Sequence, residues 1–198
     1  MATPIGLDNL VFATITEDAA GIETYSATSV SLAKSISAKL SIETNEAVQY
    51  ADDGIDFDIK EFKNGKLTLK VNDIGASVAS KLTGATVDQN GVLVSASEDS
   101  APAVAVGFRA KKSNGKYRYF WLYRVVFSVP DTELNTKEDK ISPAAPTIEG
   151  TIMRRNKVDA GGKHPWKAQV DEDDASVSAA TITDWFKTVY EPVYNTTP

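Results

Sequence analysis

Val104-Ala105-Val106-Gly107-Phe108-Arg109-Ala110-Lys111-Lys112, then Ser113-Asn114-Gly115-Lys116, then Tyr117-Arg118-Tyr119-Phe120-Trp121-Leu122-Tyr123-Arg124-Val125-Val126 is the stretch that decides the fold. Two runs rich in β-branched and aromatic residues flank an Asn-Gly pair, a strong short-range signal for a β-hairpin. A two-residue turn at Asn114-Gly115 pairs Lys112 with Tyr117, Ala110 with Tyr119, Phe108 with Trp121 and Val106 with Tyr123. One face of the ribbon is then aromatic almost throughout. The other pairs Lys111 with Arg118 and Arg109 with Phe120. Cross-strand aromatic pairs contribute a few tenths to about 1 kcal/mol each, so strand and turn signals agree.

Upstream of the hairpin the chain also reads as strands. Leu10 to Ile15 is a short apolar strand, closed by a polar turn at Glu17-Asp18 and Gly21. From Lys34 to Glu43 the pattern alternates: Ile36, Ala38, Leu40 and Ile42 point one way, Ser35, Ser37, Lys39 and Ser41 the other, the period of a half-buried antiparallel strand. Asn45 to Asp58 carries Glu46, Asp52, Asp53, Asp56 and Asp58 around Asp53-Gly54, and reads as a long exposed loop between strands. Leu67, Leu69 and Val71 alternate again. Asn64-Gly65 suggests a tight turn, but that register puts Phe57 and Ile59 on the wrong face, so a longer loop or a bulge is expected. Asp73 to Leu82 predicts a short helix capped by Asp73, with Ile74, Val78 and Leu82 in one stripe and Gly84 as its stop. Val87 to Ser95 returns to strand.

Downstream, Pro130 to Pro146 is a charged, proline-bounded connection, Ile148 to Arg155 a strand, and Trp166 to Val170 another after a Gly161-Gly162 turn. A helix is expected from Ser178 to about Tyr190, with Ile182, Trp185, Phe186, Val189 and Tyr190 at i, i+3, i+4, i+7 and i+8. Such a stripe must be covered, and its own sheet is the expected cover. Pro192 ends it. Many strands and few helices make the chain mainly β: an antiparallel sandwich or barrel with one or two flanking α-helices and a long inter-strand loop. No internal repeat is visible.

Composition excludes several classes. The chain has 198 residues, 42% hydrophobic and 24% charged, enough for one well-packed domain. With no cysteine there is no disulfide, thiolate metal site or cysteine nucleophile, and one histidine cannot make a multi-histidine site. A net charge of −6 disfavours general nucleic-acid binding. No apolar run reaches the length of a membrane span, and Met1-Ala2-Thr3-Pro4 does not begin a secretory signal.

Four constellations carry possible chemistry. His164, in a Gly-Gly-Lys-His-Pro-Trp turn, has no nucleophile or carboxylate named beside it and reads as a turn residue. Asp52-Asp53-Gly54 with Asp56 and Asp58 supplies oxygen ligands, but not in the order of a calcium loop. The acids Asp171 to Asp174 precede a helix, where the dipole favours negative charge. The hairpin 104–126 holds Arg109, Lys111, Lys112, Lys116, Arg118 and Arg124 among its rings, the ingredients of a single-strand nucleic-acid platform. In the two-residue register, however, cations and rings mostly occupy opposite faces, and the charged face is free to meet an acidic neighbour. No phosphate loop, nucleophile elbow or zinc spacing occurs, so no catalytic residue, cofactor or metal is expected.

The sequence resembles the major tail (tail tube) proteins of siphophages of Gram-positive bacteria, from Gly6-Leu7-Asp8-Asn9-Leu10-Val11 to Trp185-Phe186. The resemblance is carried by Tyr50-Ala51-Asp52-Asp53-Gly54, by Val106 to Arg118, by Thr136-Lys137-Glu138-Asp139-Lys140, by Pro146 to Thr151 and by Ala179 to Phe186. It implies a tail tube fold over residues 1–190 with a flexible tail over 191–198 and no immunoglobulin-like C-terminal extension. It implies a virion protein, assembled in the host cytoplasm, whose hexameric rings stack into a hollow tube. The partners implied are copies of the chain, the tape measure protein, the tail terminator and tail-tip or baseplate proteins, with DNA as transient cargo and no membrane. Tyr50, Asp52, Asp53, Asp139 and Lys140 are the expected subunit-interface residues. A nucleic-acid-binding module using the hairpin 104–126 is the alternative.

Overall fold

The computed structural model describes residues 2–51, 54–130 and 145–194, with backbone alone over 48–51 and 54–58. The fold is mainly β and antiparallel, with two short helices. Its strands are β1 (Pro4–Glu17), β2 (Glu23–Tyr25), β3 (Val30–Ser31), β4 (Ser35–Ala51), β5 (Gly54–Val71), β6 (Thr86–Val87), β7 (Leu93–Val94), β8 (Ala103–Lys112), β9 (Tyr117–Phe127), β10 (Thr147–Met153) and β11 (Lys167–Asp171). Helix α1 spans Ala76–Thr83 and α2 spans Ala179–Asp184.

The main sheet runs β2-β1-β8-β9-β10-β5-β4, with β11 also on β9 and β3 on β1. That last pairing bends the sheet into a barrel. β3 is bonded to β1, and a few residues later the same stretch of chain becomes β4, bonded to β5. Leu32 N–H, between them, donates to the Leu10 carbonyl at 3.0 Å. Inside lie Leu10, Phe12, Leu67, Leu69, Leu122 and Ile148, each at most 2% exposed. Helix α1 plugs the barrel with Leu82 and Val78, and Ile74, just before the helix, packs beside them.

A second apolar layer lies on the opposite face of β1, β8 and β9. There the C-terminal segment, α2 and the turns after it, covers Tyr119, Trp121 and Tyr123 with Trp185, Phe186 and Val189. The expected stripe is therefore packed on its own sheet. The helix itself is shorter than the periodicity predicts. Ser178 caps it, accepting from Thr181 N–H at 3.2 Å, but regular helix ends at Asp184. The stripe continues through turns because contacts with the sheet, and not helical hydrogen bonds, position Trp185 to Tyr190. Trp121 Nε1 donates to the Trp185 carbonyl at 2.8 Å, and Tyr123 Oη to the Tyr190 carbonyl at 2.8 Å.

Several expectations are corrected. Asn45–Asp58 is not a loop: β4 and β5 pair from Ser35↔Val71 out to Ala51↔Gly54. Residues 42–47 and 59–61 are exposed on both faces of this ribbon, so no apolar alternation marks it as strand. Asn64-Gly65 lies inside β5. Gly65 is opposite both Ile42 and Ile152, and a Cβ there would stand 2.9 Å from Ile42 Cδ1 and 3.2 Å from Ile152 Cδ1. The glycine serves close packing, not turning. A bulge does occur next to it, between Glu43↔Asn64 and Thr44↔Phe62. Val87–Ser95 resolves into two dipeptide strands, β6 and β7, around an Asp88-to-Val92 turn. Gly75, not Asp73, is the N-cap of α1, and Gly84 stops that helix with φ 82° as expected.

The decisive hairpin forms, but one residue out of the expected register. Lys111 pairs with Tyr117, Ala110 with Arg118, Phe108 with Phe120 and Gly107 with Trp121. The loop has three residues, Ser113-Asn114-Gly115: Gly115 N–H donates to Lys112 O, and Gly115 itself adopts φ 82°. This is a type I turn followed by a left-handed bulge residue, which Asn-Gly satisfies as well as a two-residue turn does. The slip moves every partner across the ribbon. Arg109 and Lys111 now share a face with Tyr117 and Tyr119.

Candidate assembly surfaces

The β4–β5 ribbon outruns the rest of the sheet. β10 pairs with β5 only as far as Gly65. Beyond it, Glu43 to Ala51 and Gly54 to Asn64 pair with each other, and no other strand borders them among the described residues. An extended segment of that length reaches about 30 Å from the body. Among the described residues, both of its edges carry a row of backbone donors and acceptors without a ladder partner. Two-stranded ribbons are marginal alone in water, and open edges are templates for another strand. The ribbon is anchored where it leaves the barrel: the Phe62 ring stacks on Trp166 at 4.6 Å, 3° from parallel. Along it, Lys60–Glu46 at 3.1 Å and Lys63–Glu43 at 3.8 Å are exposed pairs worth little each. Ile59 and Ile42 are 47% and 39% exposed, an apolar remainder that the barrel does not cover.

Tyr50 belongs to the ribbon's end, its backbone paired with Ile55. Asp52, Asp53, Asp139 and Lys140 lie outside the described residues, as does most of the Pro130–Pro146 connection. Asp56 and Asp58, the other acids of the expected calcium ligands, fall in β5, where only the backbone is described. Among the described residues no cluster of His, Asp and Glu could hold a metal ion.

Five of the six cations of the basic hairpin are paired with acids from its own chain. Arg118 forks onto Asp171 at 2.6 and 2.8 Å, and Lys112, 4% exposed, reaches Asp173 at 2.5 Å. Lys116 pairs with Glu172 at 3.0 Å, and the other Glu172 oxygen accepts from Tyr117 N–H at 3.0 Å. The run Asp171 to Asp173 is therefore a clasp on the hairpin tip rather than a helix-dipole feature. α2 begins only at Ala179, and Asp174 caps its own turn through Ser176 N–H at 2.9 Å. The clasp works because β11 pairs with β9 up to Asp171↔Arg118 and so delivers the acids to the tip. The Arg118 fork holds the Asp171 carboxyl below its ordinary pKa, and the Lys112 ammonium does the same for Asp173.

The remaining hairpin arginines are paired too. Arg109 forks onto Asp8 at 2.6 and 3.1 Å while its guanidinium sits 4.2 Å over the Tyr117 ring. Arg124 bonds Glu17 at 2.5 Å and the fully buried Glu23. Lys111 alone of the six hairpin cations has no ion-pair partner among the described residues. Its rings are occupied as well, since Tyr119, Trp121 and Tyr123 are covered by the C-terminal segment.

His164 sits in its turn with Nδ1 3.1 Å from the Arg155 carbonyl oxygen. A groove of about 380 Å³ within the C-terminal segment is lined by Trp185, Val189, Asp184 and Glu191. Both of its carboxylates are already engaged, Asp184 by Lys187 at 2.6 Å and Glu191 by Arg155 and Lys157 at 2.8 and 2.9 Å. Those bonds also tie down the start of the segment expected to be a flexible tail, and Tyr194 Oη donates to Asp159 at 2.7 Å. No helix among the described residues is long and apolar enough to cross a membrane. Comparison with models of known protein families and with curated proteins gives no match.

Proposed function

We propose that the chain is the subunit of a hollow tube, the tail tube of a long-tailed phage or of a phage-derived tail particle, built from stacked hexameric rings. The observation that carries this reading is the β4–β5 ribbon. A two-stranded projection with two open edges gains stability only when something borders it, and copies of the same chain arranged around a ring border every edge at once. The resemblance to siphophage major tail proteins supplies the particular assembly. The tape measure protein fills such a tube during assembly, and DNA passes through it later. The charge pairing of the hairpin and the engaged carboxylates of the groove favour a structural subunit over a nucleic-acid module or an enzyme.

The test is assembly. Purified chain, alone and with tail-tip components as initiator, is followed by sedimentation velocity and negative-stain microscopy. Rings or tubes that grow with concentration are expected. A monomer at every concentration, with no tubes even on an initiator, refutes the reading. Tyr50→Ala with Asp52→Ala and Asp53→Ala is expected to keep the monomer's melting curve and shorten the tubes. Normal tubes from that variant remove the ribbon end from the interface.

A further inference from the structure

Three asparagines of this chain are followed by glycine: Asn64, Asn90 and Asn114. A glycine has no side chain to shield its backbone nitrogen, so that nitrogen can attack the amide of the asparagine before it. The fold treats the three pairs differently. Gly65 is buried with β4 on one side and β10 on the other, between Ile42 and Ile152. The other two pairs sit at hairpin tips, and their backbones agree. Gly115 N–H donates to Lys112 O at 3.0 Å, and Gly91 N–H to Asp88 O at 3.1 Å. Their asparagine side chains do not agree. Asn114 is held at both ends, Nδ2 donating to Asp173 at 2.8 Å and Oδ1 accepting from Lys116 N–H at 3.1 Å. The Asn90 amide makes one long contact, Nδ2 to Asp88 at 3.4 Å. The two hairpins also differ in what holds them shut. β8 and β9 are ten and eleven residues long and lie inside the main sheet. β6 and β7 have two residues each, form a sheet of their own, and leave Val92 and Val94 more than half exposed. So short a ladder opens locally at little cost.

We propose that Asn90 is a site of spontaneous deamidation in the folded chain, and that the fold protects Asn64 and Asn114 from the same reaction. The Gly91 nitrogen gives up its proton and bonds to Asn90 Cγ. The Cγ–Nδ2 bond breaks, and Nδ2 leaves as ammonia with a proton gained. Water then opens the cyclic imide at either of its carbonyls, leaving aspartate or isoaspartate at position 90. The attack requires Gly91 N–H to leave Asp88 O and the amide to turn toward it, and opening of the β6–β7 ladder permits both. At Asn114 the same motion must also break the bonds to Asp173 and Lys116. Each conversion adds a negative charge, beside Asp88, to a chain of net charge −6. Isoaspartate also lengthens the main chain by a carbon, which pulls the Gly91 and Val92 N–H groups away from Asp88. The consequence is loss of the β6–β7 pair, whose neighbour in the body is α1.

The purified chain is kept folded in mildly alkaline buffer, beside a sample unfolded in guanidinium chloride, and both are followed by peptide mapping with mass spectrometry. In the unfolded sample all three pairs are expected to convert at similar rates. In the folded chain Asn90 is expected to convert at least about tenfold faster than Asn64 or Asn114, because reaction through an open state follows the cost of opening. Asp173→Ala frees the Asn114 amide and is expected to speed conversion at 114 while leaving the rate at 90 unchanged. Asn64 or Asn114 converting as fast as Asn90 in the folded chain overturns the proposal. So does an Asn90 that stays intact while the unfolded sample converts. A rate at Asn114 indifferent to Asp173→Ala overturns the protection through its amide.

Discussion

Trp185→Ala tests whether the C-terminal segment belongs to the subunit or to an interface. Trp185 is 2% exposed, stacks on Tyr190 at 4.9 Å and meets Tyr119 edge-on at 6.3 Å. Truncating a buried aromatic to alanine costs about 3–5 kcal/mol. One feature lowers the figure. The Trp185 Nε1–H is buried without a hydrogen-bond partner among the described residues, a situation that costs about 1–3 kcal/mol and that truncation relieves. The bond from Trp121 Nε1 goes to the Trp185 backbone carbonyl and survives the substitution. A net loss of about 3 kcal/mol is expected, the lower end of the range. In a chain of this size each kcal/mol moves the melting temperature by about 2–4 °C, so the free subunit should melt about 6–12 °C lower by calorimetry. Trp185→Phe keeps the stacking and discards the unpartnered donor, and should fall far short of that loss. A Trp185→Ala subunit that melts like the parent but cannot assemble would refute the packing argument and make the stripe an interface.

Three more expectations follow from named contacts. A Cβ on Gly150 would stand 2.6 Å from Val125 Cγ1 and 3.0 Å from the buried Phe127 ring, so Gly150→Ala should cost about 1–3 kcal/mol in chemical denaturation, and an unchanged midpoint would contradict the β9–β10 register. The clasp should fail in acid. Asp171 and Asp173 have folded pKa values below their unfolded ones, so their stabilisation is present above the ordinary aspartate value of about 4 and is lost as pH falls through the lowered folded values. Asp171→Asn with Asp173→Asn should flatten that part of the stability–pH curve, and a curve of unchanged slope would dismiss the clasp. Neutralising Arg109, Lys111 and Arg118 should leave weak DNA binding by the free subunit unchanged in an anisotropy titration, whereas salt-sensitive nanomolar binding lost on neutralisation would restore the nucleic-acid reading.

The sequence by itself determined the elements whose patterns have one buried face. Alternation marked the strand at Leu67 to Val71, and the stripe and Gly84 stop marked α1 to within a few residues, although the cap fell on Gly75 and not Asp73. Asn114-Gly115 marked the hairpin because a left-handed residue is a local requirement that few side chains meet. The stripe from Ile182 to Tyr190 announced that something must cover it. Tertiary structure decided the rest. Asn-Gly fits two loop lengths, and the longer one, selected by the packing of Trp121 over Gly107 and Phe108 against Phe120, moved Arg109 and Lys111 to the other face. The same Asn-Gly pair at 64–65 sits in a strand because Ile42 and Ile152 crowd it. The base of the ribbon, residues 42–47 and 59–61, gave no periodic signal, because a strand exposed on both faces has nothing to alternate. The acids 171–173 could be matched to Arg118, Lys116 and Lys112 only once β11 was laid beside β9. Local sequence encodes propensity and polarity, but which residues face each other is set by register, and register is a property of the whole packed sheet.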